Sequence, residues 1–324
     1  MDMPVSSNAP KAEERFRQLL EICRGLPAVK MAVVHPCSKD ALVGAVESAN
    51  YKLIDPILVG PKAKIERTAK ENNIDIKGLR IENVPHSHAA AERAVELCRM
   101  AEAGALMKGA LHTDELMQAV IDRDRGLRTG RRISHAFVMA IESYHKPFVV
   151  TDAAINIYPD LLTLKDIVQN AIDLVRVFRP EDMPKVAILS AVETVNPAIK
   201  STINAAALTI MAKRGQIANG IVDGPLAYDN AFSLEAARSK GIVSEVAGDP
   251  DIFVVPDLEA GNILAKQMVL SSNAISAGIV LGARVPIVLT SRSEGAQARI
   301  ASSAVAMLVA HRADEVQAAL KKAA

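Results

Sequence analysis

Lys185-Val-Ala-Ile-Leu-Ser190, continuing through Asn196-Pro197 to Gly215, is the stretch that decides the fold. Its apolar run does not alternate with polar residues, which marks a short strand covered on both faces, as parallel strands are. Asn196-Pro197 then fits an N-cap and a first helical residue, because Pro has no N–H to leave unpaired there. Ile199, Ile203, Ala206 and Ile210 form a stripe at helical spacing that predicts the buried face, and Gly215 ends the helix. Working outward, the same unit recurs. Before it lie apolar runs at Val29–Val34, Pro56–Gly60, Leu79–Glu82, Ala105–Lys108, Ala136–Ile141 and Pro147–Thr151. After it come Ile217–Val222, Ile252–Val255, Ile275–Leu281 and Val285–Thr290. Helical patterns fill the gaps: Ala94, Leu97, Cys98 and Ala101 share an apolar face, and Thr163 with Asp166 suggests a capping box for a helix toward Val177. Sustained alternation of this kind predicts an α/β protein with mostly parallel sheets.

With 324 residues, the chain is long enough for about two domains. Pro147–Asp160 changes character, which places a crossover near residue 150. The helical pattern from Gln297 to His311 is apolar on nearly every side and must be covered by the first domain or by a second subunit. We therefore expect a discontinuous first domain, residues 1–150 plus 295–324, and a second domain, 151–294. Basic and acidic residues number 38 and 37, for a net charge of +1, so there is no bulk cationic face for nucleic acid. Aromatic residues make up 3% and Trp is absent, which argues against a base-stacking platform. No apolar stretch approaches the roughly 20 residues of a membrane span, and Met1–Lys11 lacks a signal-peptide core. Three scattered cysteines, Cys23, Cys37 and Cys98, suggest a reducing, cytoplasmic setting.

Motifs for dinucleotide, P-loop, serine-hydrolase and zinc chemistry are missing from the sequence. His86-Ser87-His88 is the nearest approach to a metal cluster, but residues two apart on a helix do not share a face. The informative segment is Val285-Pro-Ile-Val-Leu-Thr-Ser-Arg-Ser-Glu-Gly295. A strand ending at Leu289 or Thr290 and a helix starting after Gly295 put Ser291, Arg292 and Ser293 where open α/β sheets bind ligands. Free N–H groups at a helix start and the guanidinium fork of Arg292 suit a phosphate; an ordinary capped turn with a surface arginine has the same pattern. Three other segments occupy the same place at strand ends: Asp223-Gly224-Pro225, Asp257 to Gly261-Asn262, and Lys108-Gly109 with Thr113 as a helix cap. Asp-Gly-Pro is also plain turn chemistry.

LMKGALHT (106–113), GLRTGRRISH (126–135) and VTDAAINIYPDL (150–161) precede the opening run; VDGPLAYDNAFSLEAARSKGI (222–242), SEVAGDPDIFVVPDLEAGNILAKQ (244–267) and VPIVLTSRSE (285–294) follow it. Together, in this order over about residues 28–310, they resemble the phosphate acetyl/butyryltransferase family, with details closer to the butyryltransferase branch. Related members also occur as the transferase part of a fusion with a hydratase-like domain. The resemblance implies reversible acyl transfer between coenzyme A and inorganic phosphate, giving acyl phosphate and free CoA. It implies two three-layer α/β/α domains flanking a cleft, as in isocitrate and isopropylmalate dehydrogenases, in a homodimer. Neither metal nor nicotinamide nor any other cofactor is implied, CoA being a substrate.

On that resemblance Ser291 and Arg292 match the Ser-Arg pair at the reacting centre, with Arg292 on the phosphate and Ser291 donating to the oxyanion. The acetyltransferases' proposed base, an Asp seven residues after that Ser, is Ala298 here. Glu294 is then the candidate base for the CoA thiol, though an acid in a helix's first turn is also favoured by the dipole alone. Asp152 and Asn156 are placed to line the cleft, and Arg128, among five arginines between 123 and 132, to contact an anion. His112 and His135 read as structural hydrogen-bonders. Two other readings remain: a CoA- or acyl-phosphate-binding module without turnover, which the Ala298 departure would suit, and an isopropylmalate-type NAD-dependent dehydrogenase, which would need a cluster of aspartates that the sequence lacks.

Overall fold

The structure is a computed structural model that describes residues 11–290 and 295–323, with side chains through Arg312. The first stretch of chain forms α1 (Lys11–Ile22), β1 (Val29–Val34), α2 (Lys39–Asn50), β2 (Ile54–Gly60), α3 (Lys62–Glu71), β3 (Arg80–Asn83), α4 (Ser87–Arg99), β4 (Ala105–Lys108) and α5 (Thr113–Ile121). The middle supplies β5 (Ser134–Ala140), β6 (Phe148–Thr151), α6 (Leu161–Phe178), β7 (Lys185–Leu189), α7 (Lys200–Lys213) and β8 (Ile221–Leu226). The remainder is α8 (Tyr228–Phe232), α9 (Leu234–Ser239), β9 (Ile252–Val254), α10 (Leu258–Ser271), β10 (Ile275–Leu281), β11 (Ile287–Val288) and α11 (Ala296–Ala323).

Where the pattern suggested a sheet for each half, the strands join in one, in the order β3-β2-β1-β4-β11-β10-β5-β6-β9-β7-β8. The first five and the last four are parallel blocks. Between the blocks, β10 and β5 are antiparallel to each other and to their outer neighbours, so the blocks run in opposite directions. Val288, Ile279, Ala136 and Thr151 lie level across the four central strands. The carboxyl ends of β11 and β6 therefore leave this row in opposite senses, with two strands between them.

Helices cover both faces. One core, spanning both halves, packs α2, α3, α6, α7 and α11 on one side; on the other, α4 and α5 cover the first block and α8, α9 and α10 the second. The apolar helix after Gly295 is covered by this chain itself: Ile300, Val305, Met307 and Leu308 are buried as α11 crosses the middle of the sheet against β10, α2 and α6. Each such side chain contributes roughly 1.5–3 kcal/mol when fully buried, so α11 ties the two blocks together.

Several local expectations shift. In α7 the buried face is Thr202, Ala205, Leu208 and Thr209, whereas Ile203 is 41% and Ile210 52% exposed. The helix is nearly apolar all round, and the two threonines can be buried because their hydroxyls donate to backbone carbonyls of Ile199 and Ala205. Its N-cap is Ile199, with Asn196-Pro197 in the preceding turn. Asp160, not Thr163, caps α6, its carboxylate accepting from the Thr163 amide at 2.7 Å. His112 holds the cap position of α5, so Thr113 is its first helical residue rather than its cap. Asp223-Gly224-Pro225 lies inside β8 and not at its end; β8 is an edge strand, where Pro's missing N–H breaks no ladder.

Candidate active site

At the end of β4, Lys108 is buried, and the chain turns so tightly at Gly109 that a Cβ there would overlap the Val34 carbonyl. Next in the sheet, β11 leads into buried Leu289 and Thr290. The strand-to-helix frame of the predicted reaction centre is thus present: β11 ends at Val288 and α11 starts at Ala296. Ser291, Arg292, Ser293 and Glu294 themselves lie outside the described residues.

A second assembly forms at the end of β6. Buried Asp152 accepts through Oδ1 from the amides of Ala154 (2.9 Å) and Ile155 (3.0 Å). Its Oδ2 accepts from the Asn156 amide (3.3 Å) and Asn156 Nδ2 (2.6 Å). The same Nδ2 donates to the Ile133 carbonyl at 2.9 Å, tying the turn to the entry of β5. With four donors on its two oxygens, the Asp152 carboxylate is a structural acceptor that holds the turn closed. The start of α10 packs on this turn: Asp257 caps the helix through the Ala260 amide at 2.9 Å, and Asn262 Nδ2 donates to the Ala153 carbonyl at 3.3 Å. Gly261 permits the approach, since a Cβ there would overlap the Asp152 carbonyl oxygen. Asp152, Asn156, Asp257, Gly261 and Asn262, far apart in sequence, are thus one unit.

Other candidates stand apart from it. Asp223 accepts from the Gly224 amide at 2.9 Å on β8, three strands from β6 and so about 14 Å away across the sheet. Lys108 and Thr113 belong to the opposite block. Arg128 is exposed, bridges Ala283 through its backbone, and makes no ion pair among the described residues, whereas nearby Arg131 is engaged by Asp173.

His135, which reads as a structural hydrogen-bonder in the sequence, makes such a bond here. It is fully buried at the start of β5, and its Nε2 lies 3.5 Å from the Leu289 carbonyl, two residues before Ser291. Burial pushes its pKa down, against the opposing pull of the Asp152 charge. The GLRTGRRISH motif ends at this residue but does not name its partner. A cavity of about 240 Å³ lies beneath α1, lined by Phe16, Leu19, Val138, Phe148 and Phe178, away from every candidate above. Among the described residues no three His, Cys, Asp or Glu side chains gather as a metal site, and no helix is long and apolar enough to cross a membrane.

A family model described as Phosphate acetyl/butaryl transferase matches residues 88–307. The chain belongs to this family. It is 55% identical to the phosphate acetyltransferase of Rickettsia prowazekii over 94% of this chain and 86% of that protein. Against the phosphate butyryltransferase of Clostridium acetobutylicum the identity is 37%, over 91% and 98%. The motifs resemble the butyryltransferase branch more closely, whereas the relatives at 54–55% identity carry the acetyltransferase name. The crystal structure of a branched-chain phosphotransacylase from Enterococcus faecalis V583 superposes with a TM-score of 0.76 at 30% identity, covering 87% of this chain and 99% of that one. The mixed α/β architecture around one large sheet is the family's.

Proposed function

We propose that this chain catalyses reversible acyl transfer between acyl-CoA and inorganic phosphate, giving acyl phosphate and CoA, with acetyl as the first acyl group to test. The observation that carries this is the 55% identity over nearly the whole chain to a phosphate acetyltransferase. Both substrates meet in one ternary complex. A phosphate oxygen attacks the thioester carbonyl, the carbonyl oxygen takes up charge in a tetrahedral intermediate, and the C–S bond breaks to release CoA thiolate. Arg292 and Ser293 hold the phosphate, Ser291 donates to the oxyanion, and Glu294 takes the thiol proton in the reverse direction. No covalent acyl-enzyme is needed when both reactants are held together.

In this reading residues 1–150 plus 295–324 and residues 151–294 are two domains facing a cleft, arranged as in the isocitrate dehydrogenase-like fold. Lys108, Thr113 and Arg128 approach the ligands from the first, with Arg128 on the CoA phosphates. The Asp152–Asn156 turn, the start of α10 and Asp223–Pro225 shape the second. CoA is a substrate and no cofactor takes part. The exposed isoleucines of α7 supply an apolar face for a second copy of the chain in a homodimer. Three free cysteines suit the reducing cytoplasm.

The test is thiol release from acetyl-CoA and butyryl-CoA, with and without phosphate, on wild type and Arg292→Ala. Phosphate-dependent release that collapses in the variant supports the assignment. Measurable CoA binding without release from either thioester sinks it and leaves a binding module.

A further inference from the structure

β5, β10 and β11 meet at a contact that neither the motifs nor the family assignment explains. His135 stands on β5 and Leu289 follows β11, yet β10 runs between those strands. The imidazole crosses β10 at Gly278, bringing Nε2 to 3.5 Å from the Leu289 carbonyl oxygen. Only glycine allows the crossing: a Cβ at 278 would overlap that same oxygen and lie 3.2 Å from His135 Nε2. Gly278 is itself held from two sides, its amide donating to Ser302 Oγ at 2.9 Å and its carbonyl accepting from the Leu289 amide at 3.2 Å. On the other flank, the Thr151 hydroxyl donates to the His135 carbonyl at 2.8 Å, one residue before the Asp152 turn.

The tautomer follows from the partners. A carbonyl oxygen only accepts, so Nε2 carries the proton, and in a neutral ring Nδ1 is then a bare acceptor. Nδ1 is buried and has no hydrogen-bond partner among the described residues. Leaving such an atom unpaired costs stability, so packing alone would be better served by an apolar side chain.

We propose that His135 is a positioning residue for the transfer: its Nε2–H on the Leu289 carbonyl fixes the direction in which the chain leaves β11 through Leu289 and Thr290. The inference rests on the acyl-transfer reading for its importance, but the contact itself can be tested without turnover. A nitrogen-15 spectrum of the histidine-labelled wild type should show His135 neutral with its proton on Nε2. A charged ring, or a proton on Nδ1, overturns the proposal whether or not the protein is active.

Kinetics supply the second arm. His135→Leu keeps bulk and loses the donor, while His135→Gln places an amide N–H the same number of bonds from the backbone. The expected result is a kcat loss of about tenfold or more in the Leu variant, with KM for acyl-CoA and phosphate held within about twofold, and substantial recovery in Gln. Gly278→Ala, which displaces the same carbonyl, should copy the Leu variant and replaces it if that variant does not fold. Equal losses in Leu and Gln, or a change in KM alone, overturn the positioning role. A wild type without phosphate-dependent thiol release would instead refute the acyl-transfer reading, leaving the tautomer measurement to decide the contact.

Discussion

Replacing Gly261 by Ala tests whether the start of α10 sits against the Asp152 turn. In an isolated helix the change would stabilise by up to about 1 kcal/mol, since Gly loses more backbone freedom on folding. Here the new methyl would overlap the Asp152 carbonyl, lie 2.9 Å from Val255 Cγ2 and 3.0 Å from the Ala153 Cα. Two of those three neighbours are backbone, and they belong to a turn tied by four hydrogen bonds to one carboxylate. Backbone so held yields only by giving up hydrogen bonds worth about 1 kcal/mol each, and overpacking of this kind costs about 1–3 kcal/mol. The overlap outweighs the helical gain, for a net destabilisation of about 1–2 kcal/mol and a fall of roughly 2–6 °C in Tm. Thermal melts by circular dichroism would measure it, with Gly130→Ala as the control because nothing lies within 4 Å of a Cβ there. A Gly261→Ala protein as stable as wild type, or more so, would refute the packing argument.

Two further outcomes are expected. Asp251 is buried and accepts from Arg179 (2.6 Å), Lys146 (2.9 Å) and the Lys185 amide (2.8 Å). Burial pushes its pKa up, but these donors outweigh it and hold the carboxyl below the usual range. Its stabilisation is therefore present above the unfolded pKa of about 3.9 and fades as pH falls through the lower folded value. Asp251→Asn should lose about 2 kcal/mol near neutrality in urea denaturation, with the gap to wild type closing below about pH 4; a gap independent of pH would refute the assignment. Changing both Ile203 and Ile210 to Glu should leave the fold intact, because both side chains face outward. On the proposed homodimer, sedimentation should find the wild type a dimer and the double variant a monomer, and an unchanged sedimentation coefficient would remove α7 from the proposed interface.

Much of the local structure was legible in the sequence. The apolar runs at Val29–Val34, Ala105–Lys108, Lys185–Leu189 and Ile275–Leu281 coincide with β1, β4, β7 and β10. Such a run needs only its own residues to declare itself, since burial on both faces leaves no polar positions to confuse the pattern. The strand-to-helix frame around residues 285–296 was legible for the same reason, with Gly295 as punctuation. The face of α7 was not, because a helix apolar on most sides carries no usable moment; which isoleucines stay outside is settled by what packs against it. Nor was the single sheet, because it depends on β10 and β5 pairing antiparallel between the two blocks.

At the candidate site the same division holds. Asp152, Gly261 and Asn262 each stood out as residue types at strand ends or helix starts, but not as parts of one unit, since their contact spans about a hundred residues of chain. His135 was legible as a structural hydrogen-bonder but its partner was not: Leu289 is 154 positions away, and the glycine that lets them meet looks like any other in a strand. The sequence by itself determined the α/β class, most element positions, the family and the reaction it implies, because these rest on short-range pattern and on motif order. Only the tertiary structure decided which residues touch, because contacts across strands are set by pairing register and by the space that a missing Cβ leaves.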